Sequence, residues 1–305
     1  MFAALSGWEI ASLIAKFLWY FSALSLAGGI FSLWLIADSS RKFLVSNLLY
    51  MLSGAVIGFQ GVVIYFLVQV GTAVDNGVAG MFDWSMVSFF LGTSIGEATL
   101  VRLAILLAII IGLLATLTYL GRLQKPPSQL FFRLLLRFNA ACLFGILLSF
   151  QLTGHLAPMN LLPRFALVVH VLAISLWIGT LYPLRCVTLD YEIDQIQFIM
   201  KKFGKLASYI VAALLGSALV MIIQLLTTPS ELINSAYGLV LLAKISFVLG
   251  LLGLAALNRW RLVPALSQDG VVKQLRNSIS VEIAVAFVVI ALTVYLSTVV
   301  GPATM

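Results

Sequence analysis

Three features of the sequence predict an all-α, polytopic transmembrane bundle of about eight helices. Apolar residues make up 62% of the 305 and charged residues only 10%, where a soluble domain carries about 25% charged. Apolar runs of about 20 residues recur from end to end. Each is long enough to cross a hydrocarbon core about 30 Å thick at 1.5 Å per helical residue. Basic residues, finally, gather in alternate connections. In lipid every backbone N–H and C=O needs an internal partner, so such runs must be helices. Their length excludes the short alternating strands of a barrel.

The spans are expected at about 14–37, 44–70, 98–120, 134–154, 165–186, 205–227, 237–260 and 279–300. Residues 84–96 are apolar but too short to cross, and read as an interfacial segment or a hairpin leading into the third span. The opening residues have no basic stretch of the kind a cleavable signal carries; the first apolar run continues as a long helix. The connections leave no room for a soluble domain. A single membrane domain, 1–305, is predicted, with a first half at 1–154 and a second at 155–305.

Fourteen of the eighteen basic residues fall in loops 1–2, 3–4, 5–6 and 7–8, from Arg41 and Lys42 to Lys273 and Arg276. The exceptions are Lys16, Arg102, Arg164 and Lys244. The asymmetry predicts cytoplasmic basic loops and both termini outside. It also accounts for the net charge of +7 without a nucleic-acid partner. An internal repeat is visible. Ala23, Ser25, Leu26 and Gly29 match Ala173, Ser175, Leu176 and Gly179 in the fifth span. Gly96 and Arg102 share their spacing with Gly238 and Lys244. Four spans per half make such repeats parallel. Gly28-Gly29, Gly54, Gly58, Gly61, Gly179 and Gly216 read as close helix contacts, with Gly54 and Gly58 forming a small-xxx-small face.

Ionisable and soft side chains inside spans are the functional candidates. Both histidines fall on the outer side. His155 ends the fourth span and His170 lies about two turns into the fifth. The short loop between them contains Pro158, Met159 and Pro163, so the two helices must pack side by side. Two imidazoles with the Met159 thioether nearby suit copper, because soft sulfur favours Cu(I) and imidazole serves either oxidation state. A helix–helix hydrogen bond from His170 is the alternative.

The stretch Gly154-His155, followed by His170 through Trp177 and Gly179, resembles the CopD copper-resistance family. So do Tyr237-Gly238 with Lys244, the Ala255–Arg259 run, and Arg276, Ser278 and Glu282; Gly96 and Arg102 resemble the motif opening the third span. The resemblance is strongest from about 150 to 300. It implies a bacterial inner-membrane protein of copper homeostasis that moves copper inward, often beside a periplasmic partner of the CopC type. Carried over residue by residue, His155 and His170 match family histidines. The family often has a histidine in the first span where this sequence has Tyr20, the repeat partner of His170, so the site must rest on the second half.

The leading expectation is therefore copper transport through His155, His170 and Met159, with no enzymatic activity and no nucleotide motif to drive it. A b-type cytochrome is the main alternative, with His155 and His170 on one haem iron and Arg102, Arg164 or Lys244 at the propionates. A docking anchor for a periplasmic copper chaperone is another. Trp177, on the same face as His170, reads either as a wall of the site or as packing. Arg102 and Lys244 are expected to snorkel outward or pair with Glu97 and Glu231. Glu282 is expected to pair with Arg259 or Arg276. Cys142, Cys186 and Met221 read as packing, with a copper path as the other possibility.

Overall fold

The computed structural model describes residues 4–36, 40–123, 127–153, 159–225, 228 and 230–301. Eight helices are long and apolar enough to span a membrane, and no strand occurs among the described residues. They are α1 (Gly7–Leu35), α2 (Arg41–Val74), α4 (Ser94–Arg122), α5 (Gln129–Ser149), α6 (Leu161–Asp190), α7 (Ile193–Leu225), α9 (Ala236–Leu257) and α10 (Val271–Tyr295). Two short helices, α3 (Trp84–Leu91) and α8 (Glu231–Asn234), precede α4 and α9. The expected interfacial segment at 84–96 is thus α3 and its turn, with Trp84 and Phe89 exposed. Asp83 caps it by accepting from the Met86 N–H. Hydrogen bonds from the Ser85 hydroxyl and then from Met86 hold the Asp83 carboxyl below its ordinary range.

Several helices outrun their hydropathy-based spans. At 34 residues, α2 is about 51 Å long. Hydropathy marks only the stretch that must lie in hydrocarbon, whereas hydrogen bonding carries the helix on through the polar interface. Large apolar side chains such as Leu107, Ile111, Phe144 and Leu219 are exposed at mid-helix. That surface is untenable in water but is the expected lipid-facing one.

The packing is centred on α1 and α6. Of the most apolar 18 residues in each helix, 50% are buried in α1 but only 11% in α7 and in α9. One core cluster joins Trp19, Leu26, Leu48, Met51, Leu106 and Ile146, from α1, α2, α4 and α5. A second joins Leu24, Trp177, Leu184, Ile196, Leu251 and Ile279, mainly from the second half. Along α1–α2 the glycine face meets serines: a Cβ on Gly54 would strike Ser25, and one on Gly58 would strike Ser22. Between α1 and α6 the backbones themselves touch. A Cβ on Gly28 would overlap the Gly179 carbonyl, and one on Gly179 would overlap that of Leu24. The contact is helped by Pro183, which has no N–H to give the carbonyl four residues back. That carbonyl belongs to Gly179, and the Tyr50 hydroxyl donates to it at 3.0 Å. Gly216, expected at a helix contact, has open space around it; it lies on the sparsely packed α7.

The basic end of the bundle is knit by cations placed on helix C-termini. Arg41 donates to the Leu120 and Leu123 carbonyls ending α4, at 2.5 and 3.2 Å. Lys202 donates to the Leu35 carbonyl ending α1, at 2.9 Å, and Arg276 to the Thr188 carbonyl of α6, at 2.6 Å. Each cation meets carbonyls left without intrahelical donors and the negative end of a helix dipole. The Lys42–Asp190 pair at the same end leaves Lys42 76% exposed, and such a pair contributes little. Glu282, expected to pair with an arginine, instead accepts a hydrogen bond from Asn258. Arg276 is held by Thr188 and Arg259 by Ser208.

Replacing Gly179 by leucine forces the α1–α6 backbones apart and should cost at least about 1–3 kcal/mol. Gly216→Leu should be near neutral. Tyr50→Phe strands the Gly179 carbonyl and should cost about 1–3 kcal/mol. Thermal unfolding in detergent ranks the three; a Gly216→Leu loss as large as that of Gly179→Leu contradicts the packing described.

Candidate functional site

The second half of the bundle repeats the first at its working end. The N-cap Thr93 accepts from the Gly96 N–H of α4, and Ser235 accepts from the Gly238 N–H of α9. A Cβ on Gly96 would strike the Phe90 and Leu91 carbonyls of α3. One on Gly238 would strike the Glu231 and Leu232 carbonyls of α8. Each glycine therefore lets a short helix fold down on the start of a long one, and six residues later each long helix carries a cation, Arg102 or Lys244.

Those cations line one cavity of about 870 Å³. Its walls come from both halves: Lys16, Trp19 and Tyr20 of α1, Tyr65 and Gln69 of α2, Arg102 of α4, His170 of α6, Met221 of α7, Lys244 of α9 and Ser297 after α10. Lys16, Arg102, His170 and Lys244 lie nine, eight, nine and eight residues beyond the first residues of their helices. These four helices alternate with the others along the chain and so share a direction. Their nitrogen-bearing side chains stem from one level, about 12–14 Å from the helix starts.

Arg102 does not snorkel. It is 7% exposed, and it donates to Ser149 Oγ at 3.1 Å, the Ser149 carbonyl at 2.9 Å and Thr153 Oγ1 at 3.0 Å. Its guanidinium lies 4.9 Å from the Trp19 ring centroid, with Phe150 stacked on Trp19. The physical reason is antiparallel packing. The start of α4 faces the end of α5, whose terminal carbonyls attract a cation. Lys16 finds the same kind of partner, the Ser297 carbonyl at 3.0 Å, with Tyr65 at 5.3 Å. Ser297 belongs to the π turn Leu296–Val300 that ends α10. Since Lys16 occupies that helix end, Lys244 has no equivalent. Its ammonium has no hydrogen bond or ion pair recorded among the described residues, although it lies in a wall of the cavity.

Of the sequence-predicted metal ligands, His170 lines the cavity, and its Nδ1 lies 3.4 Å from Ser217 Oγ on α7. That is the helix–helix contact expected as the alternative to metal binding. Met159 is half-buried just before α6 and is not part of the cavity wall. His155 lies outside the described residues, so its distance from His170 is not defined. No group of three His, Cys, Asp or Glu suited to a metal ion occurs among the described residues. Tyr20, the repeat counterpart of His170, lines the same cavity. Trp177 is packing, 1% exposed in the core. Cys142 and Cys186 are free thiols away from the cavity, whereas Met221 is in its wall. The sequence reading missed Lys16 as a functional residue and the convergence of three bases. The signal was present, because these are three of the four basic residues outside the basic loops.

Residues 198–296, about a third of the chain, match the family model of CopD, copper resistance protein D. The match begins in α7 and ends after α10. No curated protein and no solved structure matches the chain.

Removing the Arg102 guanidinium takes charge-assisted donors from Ser149 Oγ, the Ser149 carbonyl and Thr153 Oγ1 in a buried site. Arg102→Ala should destabilise the protein by about 2–3 kcal/mol. Arg102→Lys should recover only part of this, because an ammonium cannot span the three acceptors as a planar fork does. Chemical unfolding of the two variants beside the parent checks the order.

Proposed function

We propose that this multi-pass membrane protein handles copper as cargo for copper resistance or homeostasis, taking it up inward across a bacterial inner membrane. The observation that carries the reading is the CopD match itself. Its segment supplies α7, α9 and α10, which wall the cavity into which His170 is built. In this reading both termini and the His170 end face outward, where a CopC-type chaperone delivers the metal. Copper is captured by His155 and His170, assisted by Met159, and passes inward without chemical transformation.

The cavity constrains the form in which copper travels. A fixed cation 8 Å from a monovalent ion repels it by about 2 kcal/mol at an effective dielectric constant near 20. Lys16, Arg102 and Lys244 surround the level of His170, so copper that reaches it moves as a complex with anionic ligands. The membrane potential adds about 2.3 kcal/mol per charge per 100 mV for inward movement of a net cation, and nothing for a neutral complex.

One observation favours the haem reading. The cavity is large and mostly apolar, and it has three bases in its wall that could meet propionates. A single haem b would be held by His170 and His155 and would supply one-electron transfer. That reading rests on His170 in the cavity wall and on His155, which lies outside the described residues.

Metal analysis of the purified protein and copper accumulation by expressing cells test the copper reading. His155→Ala/His170→Ala should lose both bound copper and accumulation. Equal copper in parent and double variant removes the histidines as ligands. Lost copper with retained chaperone binding and function makes the protein an anchor, and a Soret band in place of copper favours haem.

A further inference from the structure

We propose that the cavity holds an acyl-chain anion drawn from the bilayer, its carboxylate or phosphate head on Lys244 and its chain along the wall between α7 and α9. The proposal goes beyond the copper reading and uses none of its ligands. Three cations line the cavity against one carboxylate, Glu9. That carboxylate is already engaged by the Ser6 N–H and hydroxyl, at 2.8 and 2.9 Å. Arg102 and Lys16 are neutralised in part by helix-terminal carbonyls, so the open charge is that of Lys244. An ammonium held among apolar walls without a counterpart is costly, and an anion that reaches it gains a charge-assisted contact.

The second observation is the way in. In the first half, α2 packs along α4; in the second, the equivalent α7 and α9 make at most isolated contact among the described residues. The gap is lined by leucines that are at once cavity wall and outer surface: Leu215, Leu219 and Leu249, 48, 59 and 61% exposed. A slot between two membrane helices, apolar at its lips and cationic within, matches one chemistry, a long apolar chain ending in a negative group. The repeat explains why only this half is open: Arg102 is closed on the end of α5, and Lys244 is left facing the cavity.

The test begins with protein purified in mild detergent, denatured and extracted, its fatty acids and phospholipids quantified by mass spectrometry. About one acyl anion per chain is expected. Lys244→Gln should lower this roughly tenfold, as loss of one charge-assisted contact implies, and Lys244→Arg should retain it. In nanodiscs of phosphatidylcholine, added oleate or phosphatidylglycerol should raise the Tm of the parent and of Lys244→Arg but not of Lys244→Gln. The more effective additive distinguishes a carboxylate from a phosphate head. Equal acyl anion in parent and Lys244→Gln overturns the proposal. So does a parent that gains no Tm from either anion, or a Soret-absorbing group in the cavity. If Lys244→Gln does not fold, the parent's response to the two anions decides. Copper binding by the histidines is a separate measurement, so either idea can fail alone.

Discussion

Everything else in the bundle is arranged around the place where α1 and α6 touch backbone to backbone. Gly28 and Gly179 have no side chains to hold the helices apart. The close approach would leave a carbonyl exposed in a nonpolar interior, because Pro183 withdraws the amide that should serve Gly179. Tyr50, on a third helix, closes that account at 3.0 Å. Asn47, also on α2, adds a donor to the Gly29 carbonyl of α1 at 2.8 Å. A close contact between two helices thus fixes the position of a third through the polar groups it uncovers. With α1 and α6 joined at this level, Tyr20 and His170 come to face one cavity from corresponding positions in the two halves.

The same electrostatic rule operates at both ends of the molecule. At the basic end, Arg41, Lys202 and Arg276 cover the last carbonyls of α4, α1 and α6. The loop cations therefore also seal helix ends. At the cavity, Arg102 and Lys16 do this for α5 and α10 from within the bundle. A cation buried beside a helix C-terminus is much less costly than one in bare hydrocarbon, because the unpaired carbonyls replace part of its lost hydration. Lys244 is the exception that the pattern itself isolates.

The spans were legible in the sequence because about 20 apolar residues in a row admit few other structures. Their ends were not, since a hydropathy profile is blind to helix that continues through the headgroups, as at the start of α2. Gly54 and Gly58 were legible as a contact face from their spacing. Gly179 was legible as a contact, but its partner was not. Gly216 looked the same in sequence and faces open space, because composition does not say which flank of a helix meets lipid. Arg102 was misread as snorkelling for a related reason: its partners lie at the end of α5, a tertiary fact. The repeat did carry the answer in part, since Gly96–Arg102 and Gly238–Lys244 share one spacing and one local structure. The grouping of His155, His170 and Met159 depends on residues 154–158, which lie outside the described ones.

The loose seating of α9 has an electrical consequence. Lys244 rides on a helix with few buried residues, and among the described residues its ammonium has no hydrogen bond, so any displacement of α9 along its axis moves a charge. A shift of one residue rise, about 1.5 Å, crosses roughly a twentieth of a 30 Å core. Against 100 mV that is about 0.1 kcal/mol of work, well below RT. The field across the membrane is therefore too weak to decide where this lysine stands, and its depth is set by whatever matter surrounds it.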